Sequence, residues 1–595
     1  MVDGDVTHFL PQIAVMPTHR DLYGSDARLE DLVGIVKKYR ATEWLSYLSR
    51  IHHLLATDET LTTERIQRVI GGTVPHPVRQ RLEKFKRSLK PGQKVALYYE
   101  RQISTLQQLV VLHAPETGTS KLDCDEGRQD LTLALLMTAD IMIGDRLESG
   151  GVESLLAITV QDQIRMSTTP AWVYATRAFY FYEMNRSEQS EDVVEYLKLF
   201  QIATEVSAVD WILGGLTITI QEESRSLDEI ANAWHALPLS RRDKNPKEAD
   251  VLGAYAAVRM KSLSDLRALI KKREGNRPIR DWNLIALSES PIVDFGDRGA
   301  FVLSHTALAR SLFDSVRHAI LTAALAKKLP EPYTNKQAIG RLYGSVFESY
   351  VRSLFESAYP DQVLRVPEDK HEKRADFLIW FPDKVIVVEV KGTHFVGVNH
   401  ASFLSIEERQ KELEKIGLRK AVDQLEATIR ALRRGEIGGS PMPPYDWTVT
   451  PIVPLIVTEE RMPQVPGCWE TFYGPLCAPL KKLSAAGRMG RLRLMTVGSV
   501  ERLPDAKMPE DLPTMLLQWG ADRSVMELNW SRFLETRNVS FENTFVRRRF
   551  FETVKLLAQR LGLDAEKLAI PPDEKTNGRP SPPTSSIGEA EHQAY

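Results

Sequence analysis

The feature that most constrains the fold of this chain is a pair of apolar runs, 375–381 and 384–391, joined by a Pro-Asp dipeptide. Proline followed by aspartate suits a tight type I turn, so the two runs are predicted to form a β-hairpin. A hairpin folded about this dipeptide pairs Asp376 with Glu389, and the Cβ atoms of paired residues lie about 4.5–5.5 Å apart on one face. Because side chains alternate along a strand, Lys391 is expected on the same face.

The charges on this face need to be neutralised. Two carboxylates about 5 Å apart repel each other by roughly 3 kcal/mol at an effective dielectric constant near 20. The residues around Glu389 are apolar and β-branched, which is typical of a strand buried on both faces. Lys391 supplies one positive charge, and we expect a divalent cation, Mg2+ or Mn2+, to supply the rest because its ligands would all be oxygens. The alternative interpretation is an ordinary salt-bridge cluster at a solvent-exposed strand end.

A third acidic residue lies upstream, in a helix predicted over 345–357. The spacing of Glu348, Val351 and Phe355 puts them on one helical stripe. An acid at such a core-facing position is uncommon unless it is paired or bound to a metal. Gly344, four residues before the acid, predicts the close approach of a neighbouring backbone. Glu348 is therefore a candidate member of the same site.

The chain divides by pattern into a helical half and a mixed half. Apolar residues at three- and four-residue spacing predict a mostly helical recognition or regulatory region over 1–284, an all-α N-terminal half apart from short extended pieces near Val95–Tyr99, and a connecting helical segment over 285–334. Helices alternating with strands predict a mixed α/β domain over 335–565, and the segment 566–595 is predicted to be disordered. The predicted β-type runs are 375–381, 384–391, 448–458 and 492–500, with a strongly periodic helix over 405–434. The fold class expected is thus α+β and multidomain.

The residues of the mixed domain resemble the motifs of the PD-(D/E)xK nuclease superfamily. The similarity lies within 335–510 and consists of Gly344-x-x-x-Glu348, then Asp376, then Glu389-x-Lys391, then a helix that holds Lys420 and Gln424. The superfamily is named for a Pro directly before the first Asp of its motif, and this chain has Ala375 at that position. The segment after Gln424 lacks the Tyr found in RecB-like members. The resemblance implies a restriction-endonuclease-like fold for this domain.

The resemblance also implies a metal centre. Asp376 and Glu389 are expected to bind Mg2+ or Mn2+, with the carbonyl of Val390 as a further ligand. Glu348 is expected to contact the metal directly or through water.

The reaction implied by this centre is hydrolysis of a phosphodiester bond. A metal ion neutralises the negative charge that builds up on the phosphate oxygens and lowers the pKa of a bound water. The ammonium of Lys391 is expected to orient or activate that water. Gln424 is expected to support the site.

Basic residues in the same domain are candidate contacts to nucleic acid, since Lys and Arg bind backbone phosphates. Such runs are also common on solvated faces, which is the alternative interpretation. The candidates are Lys420, Lys481, Lys482, Arg488, Arg491 and Arg493.

Composition limits the classes of function. The 595 residues carry 77 Lys and Arg against 79 Asp and Glu, a net charge of −2, so affinity for nucleic acid must come from local patches. Three cysteines cannot make a disulfide framework or a four-ligand zinc site, and they favour a reducing cytoplasm. The longest apolar stretch falls short of the roughly 20 residues needed to span a membrane, so no membrane partner is expected.

We therefore predict a cytoplasmic, Mg2+-dependent endonuclease, with DNA favoured over RNA as substrate. The helical half is expected to bind a target, a partner protein or a second copy of the chain. Such a layout resembles bacterial restriction and antiviral defence proteins, an analogy at the level of architecture. Two alternatives stay open: a non-catalytic nucleic-acid-binding or assembly platform on a nuclease-like fold, and a nuclease that acts on RNA.

Overall fold

A computed structural model gives this chain a mixed α+β fold. The structure describes residues 14–57, 74–89, 94–143, 171–184, 191–223, 252–253, 255–256, 258–279, 282, 284–296, 299–369, 371–392, 406–438, 442–459, 469, 473–485, 489–521, 530–537, 539 and 544–561. In this part of the chain, no helix combines the length and the apolar character that crossing a membrane requires. The predicted disordered segment 566–595 lies outside the described residues.

Helices make up most of the described structure. The helices before residue 300 are α1 (His19–Tyr23), α2 (Leu29–Val36), α3 (Ala41–Thr57), α4 (His76–Ser88), α5 (Glu100–His113), α6 (Asp125–Ile143), α7 (Ala171–Phe179), α8 (Glu191–Thr204), α9 (Ala208–Glu223), α10 (Leu263–Glu274) and α11 (Ile285–Glu289). The later helices are α12 (His305–Leu325), α13 (Lys336–Ala358), α14 (Ile406–Lys415), α15 (Leu418–Arg433), α16 (Ala478–Ala485), α17 (Val497–Val500), α18 (Leu512–Ala521), α19 (Trp530–Thr536) and α20 (Thr544–Leu561).

The described strands form a two-stranded, a three-stranded and a five-stranded sheet. The strands are β1 (Ala14–Val15), β2 (Lys94–Val95), β3 (Met260–Ser262), β4 (Ile292–Asp294), β5 (Ala300–Val302), β6 (Val363–Arg365), β7 (Phe377–Trp380), β8 (Val385–Lys391), β9 (Ile452–Thr458) and β10 (Arg493–Thr496). The region 1–284 is mostly helical, as predicted, and β2 overlaps the extended piece expected near Val95–Tyr99, whereas β1 and β3 show that the expectation of an otherwise all-α region is wrong. These strands have two or three residues each, too few to produce an alternating pattern.

The five-stranded sheet has the order β10-β9-β8-β7-β6. Strands β6, β7 and β8 run antiparallel, whereas β8, β9 and β10 are parallel. Alternate residues of the central strand β8 face two different cores. Val387 packs with residues of α15, and Val388 packs with residues of α13. The sheet is thus covered on both faces, as expected from the continuous apolar run.

The predicted elements of the mixed domain are found with shorter bounds. The run 448–458 contains β9, and the run 492–500 is β10 followed by the short helix α17. The helix predicted over 405–434 is two helices, α14 and α15, separated at Gly417, whose φ of 90° is left-handed. The edge strand β6 is missing from the sequence prediction because its three residues, two half-buried and one exposed, carry no clear alternation.

The hydrophobic cores cross the predicted domain boundaries at 284 and 334. One core joins residues from 22–137 with residues from 263–303. A second joins the helices from α7 to α9 with α12, α13 and the five-stranded sheet. Periodicity identifies a helix and its apolar stripe, yet it does not tell which core receives that stripe. Part of the helical half therefore packs directly against the domain that carries the candidate site.

Candidate active site

The hairpin β7–β8 has the register predicted from the sequence. The paired residues are Phe377 with Val388, Leu378 with Val387, Ile379 with Ile386 and Trp380 with Val385. The regular pairing ends at Phe377 and Val388; Asp376 directly precedes Phe377 and Glu389 directly follows Val388, so both acids lie at the same end of the hairpin, and their direct pairing stays a prediction. Leu378 and Val387, on the same alternation, belong to the core formed with α15. Glu389 therefore lies at the end of the hairpin on the side of the sheet that α15 covers, where Lys391 connects it to Gln424 of that helix, and the Asp376 carboxylate lies beside it against the amide of Val390.

Backbone contacts hold Asp376 against the end of β8. Its amide donates to the carbonyl of Val388 at 3.2 Å. Its carboxylate oxygen Oδ2 accepts a hydrogen bond of 2.7 Å from the amide of Val390. Because the amide and carbonyl of a strand residue point toward the same neighbouring strand, the carbonyl of Val390 also faces the side on which Asp376 lies. A carboxylate oxygen of Asp376 and the carbonyl oxygen of Val390, both possible metal ligands, therefore lie at the end of β8.

Glu389 is the most deeply buried acid of the site, with only 1 % of its surface exposed. Its Oε1 accepts a hydrogen bond from the ammonium of Lys391, which also donates to Oε1 of Gln424 at 3.1 Å. Its Oε2 has no hydrogen-bond partner among the described residues. A buried carboxylate oxygen without a partner is unfavourable, so this atom needs either a proton or a cation.

The pKa values reflect the crowding of the acids. Burial, and then repulsion by Asp376, raise the pKa of Glu389 to about 8, against the opposing effect of Lys391. Burial, and then the negative charge of Glu348, raise the pKa of Asp376 to about 7. Near neutral pH, the two carboxyls are therefore still partly protonated.

Glu348 approaches the pair from the other face of the sheet. It lies half-buried on α13 beside the fully buried Val351 and Phe355. Burial raises the pKa of its carboxyl, while the positive charges of Arg365 and other neighbouring cations lower it. A Cβ atom at Gly344 would meet nothing within 4 Å, so the predicted close approach of a backbone there is wrong.

The described residues contain no group of three His, Cys, Asp or Glu side chains arranged to hold a metal ion. A metal at this site would therefore rest on Asp376 and Glu389 as its acidic side chains. Direct contact of Glu348 with a metal stays a prediction.

Gln424 and Thr428, one turn apart on α15, connect this helix to the start of β7. Gln424 bridges the site, because its Nε2 donates to the carbonyl of Arg374 at 3.0 Å while its Oε1 accepts from Lys391. The hydroxyl of Thr428 accepts from the amide of Ala375 at 2.7 Å and donates to the carbonyl of Gln424 at 2.9 Å. The helix thus fixes both Lys391 and the residue before Asp376.

Replacing Thr428 with Val is expected to lower the free energy of unfolding by about 1–3 kcal/mol, the usual cost of leaving a buried donor unsatisfied. The donor in question is the amide of Ala375. The measurement is urea denaturation of both proteins. Thr138→Val is the matched control, since the buried Thr138 donates to the carbonyl of Ala134 within its own helix. Equal losses in the two variants would contradict the role assigned to Thr428.

Lys420 lies exposed in the first turn of α15, near the candidate site. Burial, and then the positive charges of Lys373 and Lys391, lower the pKa of its ammonium. Lys373, in the loop before β7, was not identified from the sequence because it belongs to a mixed run of acids and bases. The two lysines bring positive charge beside Glu389.

The other predicted nucleic-acid contacts have different positions. Lys481 and Lys482 are exposed on α16, and Arg491 is exposed before β10. Arg488 lies outside the described residues. The prediction that Arg493 contacts nucleic acid is wrong. Its surface is only 2 % exposed, its Nε donates to the carbonyl of Leu516, and its guanidinium lies over the ring of Trp519. A residue buried in this way cannot meet a polyanion at the surface.

Comparison with protein families, with curated proteins and with solved structures finds no match to this chain. The function of this chain is therefore inferred from the geometry and the chemistry of the site.

Proposed function

We propose that this chain is a metal-dependent nuclease that hydrolyses phosphodiester bonds, with DNA favoured over RNA. The observation that carries the proposal is the pair of carboxyls at the end of the hairpin, the half-buried Asp376 and the buried Glu389, with Oε2 of Glu389 lacking a hydrogen-bond partner among the described residues. A neutralised structural pair would instead hold its protons in hydrogen bonds. The motif resemblance to PD-(D/E)xK nucleases supports the same interpretation.

The donor set fits Mg2+ or Mn2+, since its members are all oxygens. Asp376 and Glu389 would hold the ion, with the carbonyl of Val390 as a further ligand. When bound, the ion supplies a Lewis acid and lowers the pKa of a bound water. The ammonium of Lys391, fixed by Glu389 and Gln424, would orient that water and stabilise charge on the phosphate.

A second candidate function is a nucleic-acid-binding or assembly platform without catalysis. It is favoured by one observation, that the described acids do not form a group of three able to hold a metal ion. Lys373 and Lys420, both exposed at the edge of the site, would then bind the phosphate groups of a nucleic acid without cleaving it.

A cleavage assay separates these candidates. Purified protein is incubated with supercoiled plasmid DNA, single-stranded DNA and RNA, each with Mg2+, with Mn2+ and with EDTA. Metal-dependent cutting of DNA supports the proposal, and selective cutting of RNA changes its substrate. Binding of DNA that is independent of metal, with no cutting under any condition, supports the platform and contradicts the nuclease.

Mg2+ is expected to stabilise the protein more at high pH than at low pH. Without metal, the pKa values of Asp376 and Glu389 are about 7 and about 8 in the folded state, against about 4 in the unfolded state. Their contribution to the stability of the folded protein is therefore fully present below about pH 4. This contribution is lost as the pH rises through the folded-state values. Ionised carboxylates are also the form that binds a cation. At about 100 times its Kd, Mg2+ should add about 2–3 kcal/mol near pH 8.5, and much less near pH 6.

Thermal unfolding with and without Mg2+ at these two pH values tests this expectation. Asp376→Asn is the control, because it removes one ionisable ligand and should abolish most of the Mg2+ effect at both pH values. An equal effect of Mg2+ at the two pH values would contradict a site built from carboxyls with raised pKa values.

A further inference from the structure

An arginine from outside the five-stranded sheet contacts the strand end that carries Lys391. Arg317 lies on α12, and its Nη1 donates to the carbonyl of Gly392 at 3.2 Å. Gly392 directly follows Lys391, the last residue of β8. The contact therefore acts at the point where the chain leaves the candidate site.

Two further contacts fix the guanidinium of Arg317. It lies over the ring of Tyr343 on α13, 4.4 Å from the ring centre. It also lies 3.9 Å from Oε2 of Glu459, and the two side chains are only 18 % and 3 % exposed. Charged contacts shielded from water in this way are stronger than surface ion pairs.

Glu459 links the arginine to Lys391 by a second route. This residue follows β9, and its amide donates to the carbonyl of Lys391 at 3.4 Å. Arg317 thus contacts both the residue after Lys391 and the residue whose amide binds the carbonyl of Lys391. One side chain therefore contacts the main chain directly after the Lys391–Gly392 peptide and, through Glu459, the residue that binds the carbonyl before it.

Gly392 is also pressed against α13. A Cβ atom at this position would lie 3.1 Å from the Cβ, Cγ and Cδ1 atoms of Phe347, which is tighter than ordinary contacts. Phe347 is fully buried and precedes Glu348. The end of β8 is therefore enclosed between Arg317 on one helix and Phe347 on another, and a larger residue at position 392 would displace it.

We propose that Arg317 is a positioning residue for the site. From α12, it fixes the end of β8 and so sets where the ammonium of Lys391 lies relative to Glu389. The catalytic consequence of this inference rests on the proposed function. In such an enzyme, a misplacement of about 1 Å in a reacting group costs roughly 100-fold in rate. Its structural part, that Arg317 holds this strand end, stands on the contacts alone.

The test uses the full chain with Arg317→Met, Arg317→Lys and Gly392→Ala. Arg267→Met is the matched control, because Arg267 also donates to main-chain carbonyls, those of Val111 and Ala114, and pairs with Glu116 in a distant part of the fold. Two quantities are measured: kcat and KM for Mg2+-dependent DNA cleavage, and hydrogen exchange of the peptides that cover 385–392 and 452–459.

We expect Arg317→Met to lower kcat by about tenfold to 100-fold with little change in KM. Lysine keeps one donor and the charge, so Arg317→Lys should recover part of the loss, and Gly392→Ala should resemble the Met variant. Both peptides should exchange faster in Arg317→Met than in the parent and in Arg267→Met. A loss of kcat in Arg267→Met as large as that in Arg317→Met would overturn the inference, because it would reflect stability alone.

The exchange measurement separates this inference from the proposed function. If the parent protein cuts neither DNA nor RNA, the nuclease proposal fails, and exchange alone then decides. Faster exchange at both peptides in the Arg317 variants supports the positioning role. Exchange equal to that of Arg267→Met overturns it, whether or not the parent protein is active.

Discussion

Replacing Asp376 with Asn is expected to reduce Mg2+-dependent cleavage by about 1,000-fold or more, the scale seen when a central catalytic group is removed. Asparagine is nearly the same size, and its side-chain oxygen can still accept the hydrogen bond from the amide of Val390. It has no negative charge, so it binds a divalent cation poorly. The loss should therefore arise from the missing ligand and not from a change of fold. Single-turnover cleavage of DNA measures it.

The same variant should be at least as stable as the parent protein without metal near pH 8. Substitution removes the charge of the half-buried Asp376, which repels the buried Glu389, and the pKa of Glu389 should fall toward its ordinary range because repulsion by Asp376 is among the causes that raise it. Thermal unfolding in EDTA measures this effect.

Asp383→Asn is the control for both measurements. Asp383 lies at the turn of the same hairpin, its side chain is 65 % exposed, and it pairs with Lys384 away from the site. This variant should cut DNA at the rate of the parent protein. Cleavage by Asp376→Asn at the parental rate would rule out Asp376 as a metal ligand, and with it the proposed nuclease.

The part of the site that lies within one hairpin could be predicted from the sequence. The turn fixes the register, and the alternation of side chains then determines which residues share a face, so a short segment relates Asp376, Glu389 and Lys391. Gln424 was found through a family resemblance, and the structure places it in contact with Lys391. For residues connected by local geometry, the sequence is sufficient.

Contacts between distant segments could not be predicted in this way. The hydroxyl of Thr428 accepts a hydrogen bond from the amide of Ala375, 53 residues away in the sequence, and Arg317 donates one to the carbonyl of Gly392, 75 residues away. Neither residue type is unusual for its helix, so no pattern marks either of them. The prediction for Arg493 failed for a related reason: a run of basic residues indicates charge, but β10 packs against a core on each face, so a basic residue within it does not reach the surface.

The helical half also has a physical connection to the candidate site that its sequence pattern does not reveal. Arg177 on α7 makes a bidentate pair with Glu501, at 2.6 and 2.8 Å, and both side chains are buried. Tyr350 on α13 donates to the same carboxylate at 2.9 Å. Since α13 also carries Glu348, the helices from the first half of the chain help to fix the face from which that acid approaches the hairpin.

Replacing Lys391 with Met is expected to reduce cleavage by about 100-fold to 1,000-fold, as for other groups that stabilise charge in a transition state. Its effect on stability should be opposite to that of Asp376→Asn. Methionine removes the hydrogen bond to Oε1 of Glu389, whose Oε2 already lacks a partner among the described residues. Leaving one buried charge unpaired costs about 3–5 kcal/mol.

The destabilisation should depend on pH. Lys391 lowers the pKa of Glu389, so its removal raises that pKa further above about 8. A carboxyl with a raised pKa in the folded state loses its contribution to stability as the pH rises through that value. In EDTA, the variant should therefore differ little from the parent near pH 6, where Glu389 is protonated, and differ most near pH 9. Urea denaturation at the two pH values measures the difference.

Lys384→Met provides the matched control. Lys384 lies at the opposite end of the same hairpin and pairs with Asp383 and Asp511. Its loss should leave cleavage at the parental rate, because Lys384 meets both partners at the turn of the hairpin and not at the candidate site. Full cleavage by Lys391→Met would contradict the proposed role of Lys391 in catalysis. The same destabilisation near pH 6 and near pH 9 would contradict its role in stabilising the ionised form of Glu389.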